Sequence, residues 1–274
     1  MSKALDSLVE LLDLEPIEMN IFRGRSPDDS RQRVFGGQVA GQALVAAGRT
    51  VPADRPVHSL HAYFIRPGDP TVPIIYLVER VRDGRSFTTR RVAAVQHGET
   101  IFTLSASFQR PEGGLEHAAL MPAVPRPETL TSPDYESFPN RPIDVRFVPA
   151  APAQHNLVWL RADGELPDDP LLHVCLMTYA SDLTLLDSVV RRHGISWVDG
   201  TISGASLDHA MWFHRPFRAD RWLLYDQESP AAAGGRGLAR GQVFTEDGDL
   251  VVSVVQEGLI RLQADRPGPD RPGP

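Results

Sequence analysis

The chain has a single cysteine, Cys175, and a single lysine, Lys3, among 274 residues. One cysteine excludes an intrachain disulfide and any zinc site built on several thiolates. Cationic excess is also lacking: 28 Lys and Arg stand against 35 Asp and Glu, for a net charge of −7. Nucleic-acid binding draws on clustered cations that displace phosphate counterions, so that class is set aside. No stretch of about 18 apolar residues occurs, so no helical membrane span is expected. The N-terminal stretch places Leu5, Leu8, Val9 and Leu12 at helical spacing but interleaves acids. It lacks the basic start and solid apolar centre of a secretory signal. The last residue is Pro274, with no peroxisomal Ser-Lys-Leu address before it. The expectation from these absences is an intracellular, cytoplasmic chain. Residues 265–274, rich in Pro, Gly and charge, are expected to form a disordered tail.

Hydrophobic residues make up 42% of the chain, enough to bury a sizeable core, and the length suits two units of about 100–150 residues. The sequence reads as one unit written twice. In the first half, the small apolar stretch Gly36–Gly48 predicts a helix packed closely against something flat, with Gly48 as its stop. Segments rich in β-branched and aromatic residues follow at Val57–Arg66, Ile74–Arg82, Ser86–Gln96 and Thr100–Gln109. The turn signals between them predict four strands in an antiparallel meander. In the second half, Asp169-Pro170 reads as an N-cap and first helical position. The apolar run Leu171–Val190 predicts one long helix, ended by Arg191, Arg192, His193 and Gly194. Strands are then expected at Ser206–Arg215, Trp222–Ser229, Gly237–Thr245 and Leu250–Ile260.

Three landmark pairs keep one offset: Pro67 and Pro216, Gly84 and Gly235, and Gly98 and Gly248 all lie about 150 residues apart. The expected organisation is a unit over 1–112, a Pro-rich and charged linker over 113–150, and a second unit over 151–264. Each unit would be α+β, a long helix wrapped by a curved antiparallel sheet. The two sheets could join edge to edge, which removes exposed edges.

Several strings resemble the acyl-CoA thioesterase II (TesB-like) family, whose fold is a double hotdog. They are RVFGGQVAGQAL (Arg33–Leu44), HSLHAYFIRPGD (His58–Asp69), TYASDL (Thr178–Leu183), SLDHAMWFHRPF (Ser206–Phe217), RGLARGQVF (Arg236–Phe244) and VSVVQEGLIR (Val252–Arg261). The resemblance implies hydrolysis of acyl-CoA to free fatty acid and CoA without a cofactor, in a homo-oligomer, a dimer or tetramer.

The residues can be read with and without that resemblance. Asp182 sits in the most apolar predicted helix, where a carboxylate is costly to desolvate unless paired or useful. It could also point to solvent or cap a backbone group. Ser206 alone is a hydroxyl at a strand edge. Gln256 interrupts an apolar strand and needs partners, which backbone could supply. The resemblance makes Asp182 the general base and Ser206 and Gln256 the groups that hold the attacking water. It places Ser206 where the family often has Thr, so the hydroxyl is kept and the rotamer-fixing methyl is not.

The free N–H groups at the start of the first-half helix point to Gly37 or Gln38 as the oxyanion donor. That helix carries Gln38 and Gln42 but no acid, so one site per chain is expected. His58 could lie near the site, or be a plain strand histidine. His58 and His61 at i, i+3 face opposite sides of a strand, as do His209 and His214, so no metal pair is expected. Arginines such as Arg85, Arg90 and Arg236 could meet a nucleotide phosphate. Cys175 reads as a small buried hydrophobe. No nucleophile elbow, dinucleotide fingerprint or phosphate loop is present. A hotdog hydratase or dehydratase and a non-catalytic acyl-CoA binder stay open as alternatives.

Overall fold

The computed structural model describes residues 2–27, 32–131, 141–149, 155–197 and 200–263. Residues 265–274, read as a disordered tail, lie outside the described residues. Helix α1 (Lys3–Leu12) is capped by the Ser2 side chain, which accepts the Leu5 N–H, and it buries Leu5, Leu8 and Leu12. Two short strands follow, β1 (Glu15–Glu18) and β2 (Ile21–Gly24). Helix α2 (Gly36–Gly48) comes next, then strands β3 (Val57–Phe64), β4 (Ile74–Asp83), β5 (Phe87–Gln96) and β6 (Glu99–Gln109). The second half runs β7 (Ile143–Phe147), β8 (His155–Ala162), α3 (Pro170–Ser181), α4 (Asp187–Arg191), β9 (Ile202–Ser206), β10 (Asp208–Phe213), β11 (Leu223–Ala233), β12 (Arg236–Thr245) and β13 (Leu250–Leu262). Strand β7 lies within the stretch read as a linker and pairs with β8 along its whole length.

The strands form one antiparallel sheet in the order β1-β2-β4-β5-β6-β3-β10-β13-β12-β11-β8-β7, with β9 on β13. The order is symmetric about the β3–β10 pair, where Leu60 faces Met211 and Ala62 faces His209. The two halves therefore join edge to edge. Only three of the four strands in each predicted meander are sequential neighbours. β3 pairs with β6, not β4, and β10 pairs with β13, not β11. The Pro67–Pro70 stretch is thus a crossover between non-adjacent strands, not a hairpin turn. Two of the hairpins carry paired left-handed turn residues: His97 and Gly98 between β5 and β6, and Gly234 and Gly235 between β11 and β12.

The long apolar run of the second half is not one helix. It breaks after Ser181, and α4 starts five residues beyond Asp182. The intervening turn is pinned by polar contacts that a continuous helix would misplace. The Gln227 amide donates to Thr184 Oγ1 at 2.6 Å, and the Asp182 carboxylate is held by groups from other elements.

Helices α2 and α3 pack against each other as an antiparallel pair. A Cβ on Gly37 would lie 2.4 Å from the Tyr179 carbonyl oxygen, and one on Gly41 would lie 3.2 Å from that of Cys175. At the far end, a Cβ on Gly48 would strike the Leu171 side chain. The small residues of α2 thus allow close approach to another helix as well as to the sheet, where α2 meets β4, β5 and β6. Their geometry sets the N-terminus of α2 beside the C-terminus of α3.

Candidate active site

Asp182 is the C-cap of α3, with helical φ and ψ of −87° and −2°. A carboxylate at that end meets the negative pole of its own helix. Helix α2 compensates, because its first turn is aimed at the same carboxylate. The Gly37 N–H donates to it, and a Cβ on Gly36 would come within 2.7 Å of Oδ2. Two further donors arrive from the second-half sheet. Gln256 Nε2 donates to Asp182 Oδ1 at 2.7 Å, and Ser206 Oγ donates to the same oxygen at 3.3 Å. Gln256 Nε2 also donates to Ser206 Oγ at 2.7 Å. Burial pushes the Asp182 carboxyl up to about 6, with the Gln256, Ser206 and Gly37 donors pulling the other way.

A bulge brings the strand residues together. Ser206 on β9 faces Gly258, while Ala210 on β10 faces Val255. Between these pairs the β9–β10 segment holds one residue more than β13. The ladder N–H of Glu257 is taken by the Asp208 carboxylate at 2.7 Å instead of by backbone. The extra residue turns both Ser206 and His209 inward, although their spacing of three would place them on opposite faces of a regular strand. The junction strand reaches this point too, since Phe64 N–H donates to the Leu207 carbonyl at 2.9 Å.

Asp182 and Ser206 line a cavity of about 520 Å³ between the halves. Phe35, Phe64 and Ile101 from the first half face Leu183, Leu186 and Trp197 from the second. Such an apolar slot with a few polar groups at one point suits an acyl chain ending in a reactive carbonyl. Asp187 also lines it. Its carboxyl is raised to about 6 by burial and accepts from Trp197 Nε1 at 2.8 Å. Sequence reading passed over Asp187 and Trp197, and the spacing of Asp182 and Asp187 offered no cue. The cue for Trp197 is Gly204, where a Cβ would lie 2.6 Å from the Trp197 ring.

The structure therefore brings Asp182, Ser206, Gln256 and Gly37 together. It does not bring Gln38 or His58 to them. The Gln38 N–H donates to the Phe35 carbonyl at 3.1 Å, and its amide reaches away to the Arg25 carbonyl and Ser26 Oγ. His58 lies near the opposite end of β3, bonded to Ser107 Oγ at 2.8 Å and edge-on to Phe87. Gly37 spends its N–H on Asp182. Gly36, one residue earlier and lining the cavity, is the first-turn N–H left for a ligand. Arg90 is fully buried, held by Thr50 and Asp83, and cannot meet a phosphate. Cys175 is buried and its thiol pushed far up by desolvation, so it is inert. No cluster of metal-ligating side chains occurs among the described residues, and none of their helices is long and apolar enough to cross a membrane.

A helix pair embraced by one duplicated antiparallel sheet, with a buried carboxylate at the seam, defines a hotdog-type protein of the thioesterase kind. The acyl-CoA thioesterase profile matches residues 135–259, and the acyl-CoA thioesterase N-terminal domain profile matches residues 26–109. The chain is 43% identical over 284 aligned residues to "Acyl-CoA thioesterase 2" of Haemophilus influenzae, covering 96% of this chain and 99% of the relative. It resembles the crystal structure of acyl-CoA thioesterase II TesB2 from Mycobacterium marinum with a TM-score of 0.85 and 52% identity, covering 94% of this chain and 99% of that one. A protein of unknown function with hot dog fold from Alicyclobacillus acidocaldarius matches with a TM-score of 0.78 at 20% identity, covering 94% and 99%, and speaks to fold alone. The chain belongs to the acyl-CoA thioesterase family and has the double hotdog fold.

Proposed function

We propose that the chain hydrolyses acyl-CoA thioesters to a free fatty acid and CoA by direct attack of water. The observation that carries this reading is the convergence of Gln256 Nε2 and Ser206 Oγ on Asp182 Oδ1, at 2.7 and 3.3 Å, beside the cavity. The carboxylate's other oxygen, next to Gly36, takes a proton from water as the water attacks the thioester carbonyl. Ser206 Oγ, already accepting from Gln256, keeps a lone pair to hold the second water hydrogen. The Gly36 N–H, at the positive end of α2, faces the oxyanion that develops. The tetrahedral intermediate then expels the CoA thiolate, which recovers the proton held by Asp182. Carboxylate and oxyanion donor come from different halves, so one chain makes one site. A hydratase mechanism would need an imidazole at the cavity. His209 does not line it, and His193 lies beyond the end of α4.

The test is free-CoA release from acyl-CoAs of increasing chain length, with wild type beside Asp182→Asn. General-base loss lowers turnover by about 10²–10⁴-fold while circular dichroism stays unchanged. Turnover that survives Asp182→Asn would move the base elsewhere. No turnover with any acyl-CoA that binds would replace hydrolysis by retention.

A further inference from the structure

Among the buried polar atoms of the described residues that make no regular hydrogen bond, two lie side by side on β10 and β13: His209 Nδ1 and Gln256 Oε1. The ladder places them face to face. Ala210 is opposite Val255, and the next residues inward, His209 and Gln256, are both fully buried with their side chains in contact. Each atom left unbonded would carry a desolvation cost, and a direct contact across the strands removes both costs.

The protonation pattern follows from the charge at the site. Asp182 as a carboxylate only accepts, so the Gln256 group 2.7 Å away is the NH₂ and the carbonyl oxygen is turned toward His209. An acceptor facing Nδ1 places the ring proton on Nδ1. Nε2 is then the ring acceptor, and its neighbour at 2.9 Å is Ser181 Oγ, whose single hydrogen is shared with the Thr178 carbonyl. Burial lowers His209 to about 4, so the ring is neutral at working pH, while its contact with Gln256 acts in the opposite direction. Other polar groups around this chain are the Thr178 carbonyl, 2.9 Å from Ser181 Oγ, and Tyr225, whose hydroxyl donates to the Ser181 carbonyl at 3.3 Å.

We propose that His209 is a positioning residue for hydrolysis: its Nδ1–H holds the Gln256 amide in the one orientation that aims NH₂ at Asp182 and Ser206. The donors then run in one direction, His209 to Gln256 to Asp182, and each bond polarises the next. Without His209, the amide is free to turn its carbonyl toward the carboxylate, which repels it and releases the water. This inference rests on the assignment of Asp182, Ser206 and Gln256 to hydrolysis.

Two measurements test it. Long-range proton–nitrogen NMR of the histidine rings in the wild-type protein reads the tautomer directly. The Nδ1–H form of His209 is expected, and the Nε2–H form overturns the proposal. Kinetics supply the second arm. His209→Leu, which removes the donor, is expected to lower kcat by about ten- to a hundredfold with KM little changed. The acid limb of its kcat/KM profile should move to higher pH, because Asp182 loses a donor. His209→Asn, which keeps an N–H near the Nδ1 position, should recover most of the loss, and a purely structural role would predict no such recovery. Adding His209→Leu to Gln256→Ala should lower turnover no further than Gln256→Ala alone. An impaired Gln256→Ala beside an unimpaired His209→Leu overturns the positioning role only. A fully active Gln256→Ala overturns the site assignment and this proposal with it.

Discussion

At the residue scale, the buried Asp182 carboxyl ties activity and stability to pH in opposite senses. In its proposed role of general base it works ionised, so kcat/KM should rise with pH through about 6 and level off above it. A plateau extending unchanged to pH 4.5 would contradict this role. Stability runs the other way. Between the ordinary value of 3.8 and about 6, the folded protein binds more protons at Asp182 than the unfolded chain does. Folding stability from this group is therefore complete below 3.8 and is lost as pH rises through about 6. The loss amounts to about 3 kcal/mol at pH 8, at roughly 1.4 kcal/mol per pKa unit. Asp182→Asn should then melt several degrees above wild type at pH 8, with the gap closing toward pH 4. A lower melting temperature at pH 8 would mean that the three donors outweigh desolvation. Ser206 allows a finer test in steady-state turnover. Ser206→Thr keeps the hydroxyl and fixes its rotamer, so it should stay within a few-fold of wild type, whereas Ser206→Ala should lose about tenfold or more.

At the element scale, the close approach of α2 and α3 fixes the distance between Gly36 and Asp182, the proposed oxyanion donor and base. Gly37→Ala would drive a methyl group into the Tyr179 carbonyl, a backbone atom that cannot swing aside. It should cost about 1–3 kcal/mol, as overpacking does, and lower turnover together with the melting temperature. Gly113→Ala, with open space around its Cβ, is the matched control and should change neither. This scale also shows what the sequence made legible. The eight long strands of the two predicted meanders lie where β-branched residues and turns placed them, because alternation survives in strands buried on one face. The connections were less visible. Short turns suggest neighbours, but whether β3 joins β4 or β6 is decided by long-range pairing that no local signal carries. The break after Ser181 was hidden for a similar reason: the run to Val190 is apolar enough to read as one helix, and the contacts that interrupt it come from Gln227 and Gln256, far along the chain. Asp182, Ser206 and Gln256 stood out as polar residues in apolar surroundings. His209 carries the same mark, but the bulge that turns it inward is set by a register invisible in one strand.

At the scale of the whole molecule, the proposed site lies at the seam between the halves. Strands β3 and β10 zip the sheets together over Ser59–Tyr63 and Asp208–Trp212, and α2 lies on α3 behind them. Each half alone would expose both surfaces and hold only part of the site. Fragments covering 2–131 and 141–263 should each show no thioesterase turnover, and co-expression should restore it with the two fragments co-purifying. Turnover by the second fragment alone would show that α2 is dispensable for the oxyanion.

The symmetric strand order has a counterpart in what was allowed to become unequal. The helix pair has two ends related by the same pseudo-twofold. One holds Asp182 over Gly36, and the other is closed by Leu171 seated against Gly48. Had the two units remained separate identical chains, every substitution at one end would have appeared at the other as well. Joining them in one chain lets a residue change once. The closed end can then evolve solely as packing, and the cavity wall can change at Leu183, Leu186 or Trp197 without any matching change at Phe35, Phe64 or Ile101.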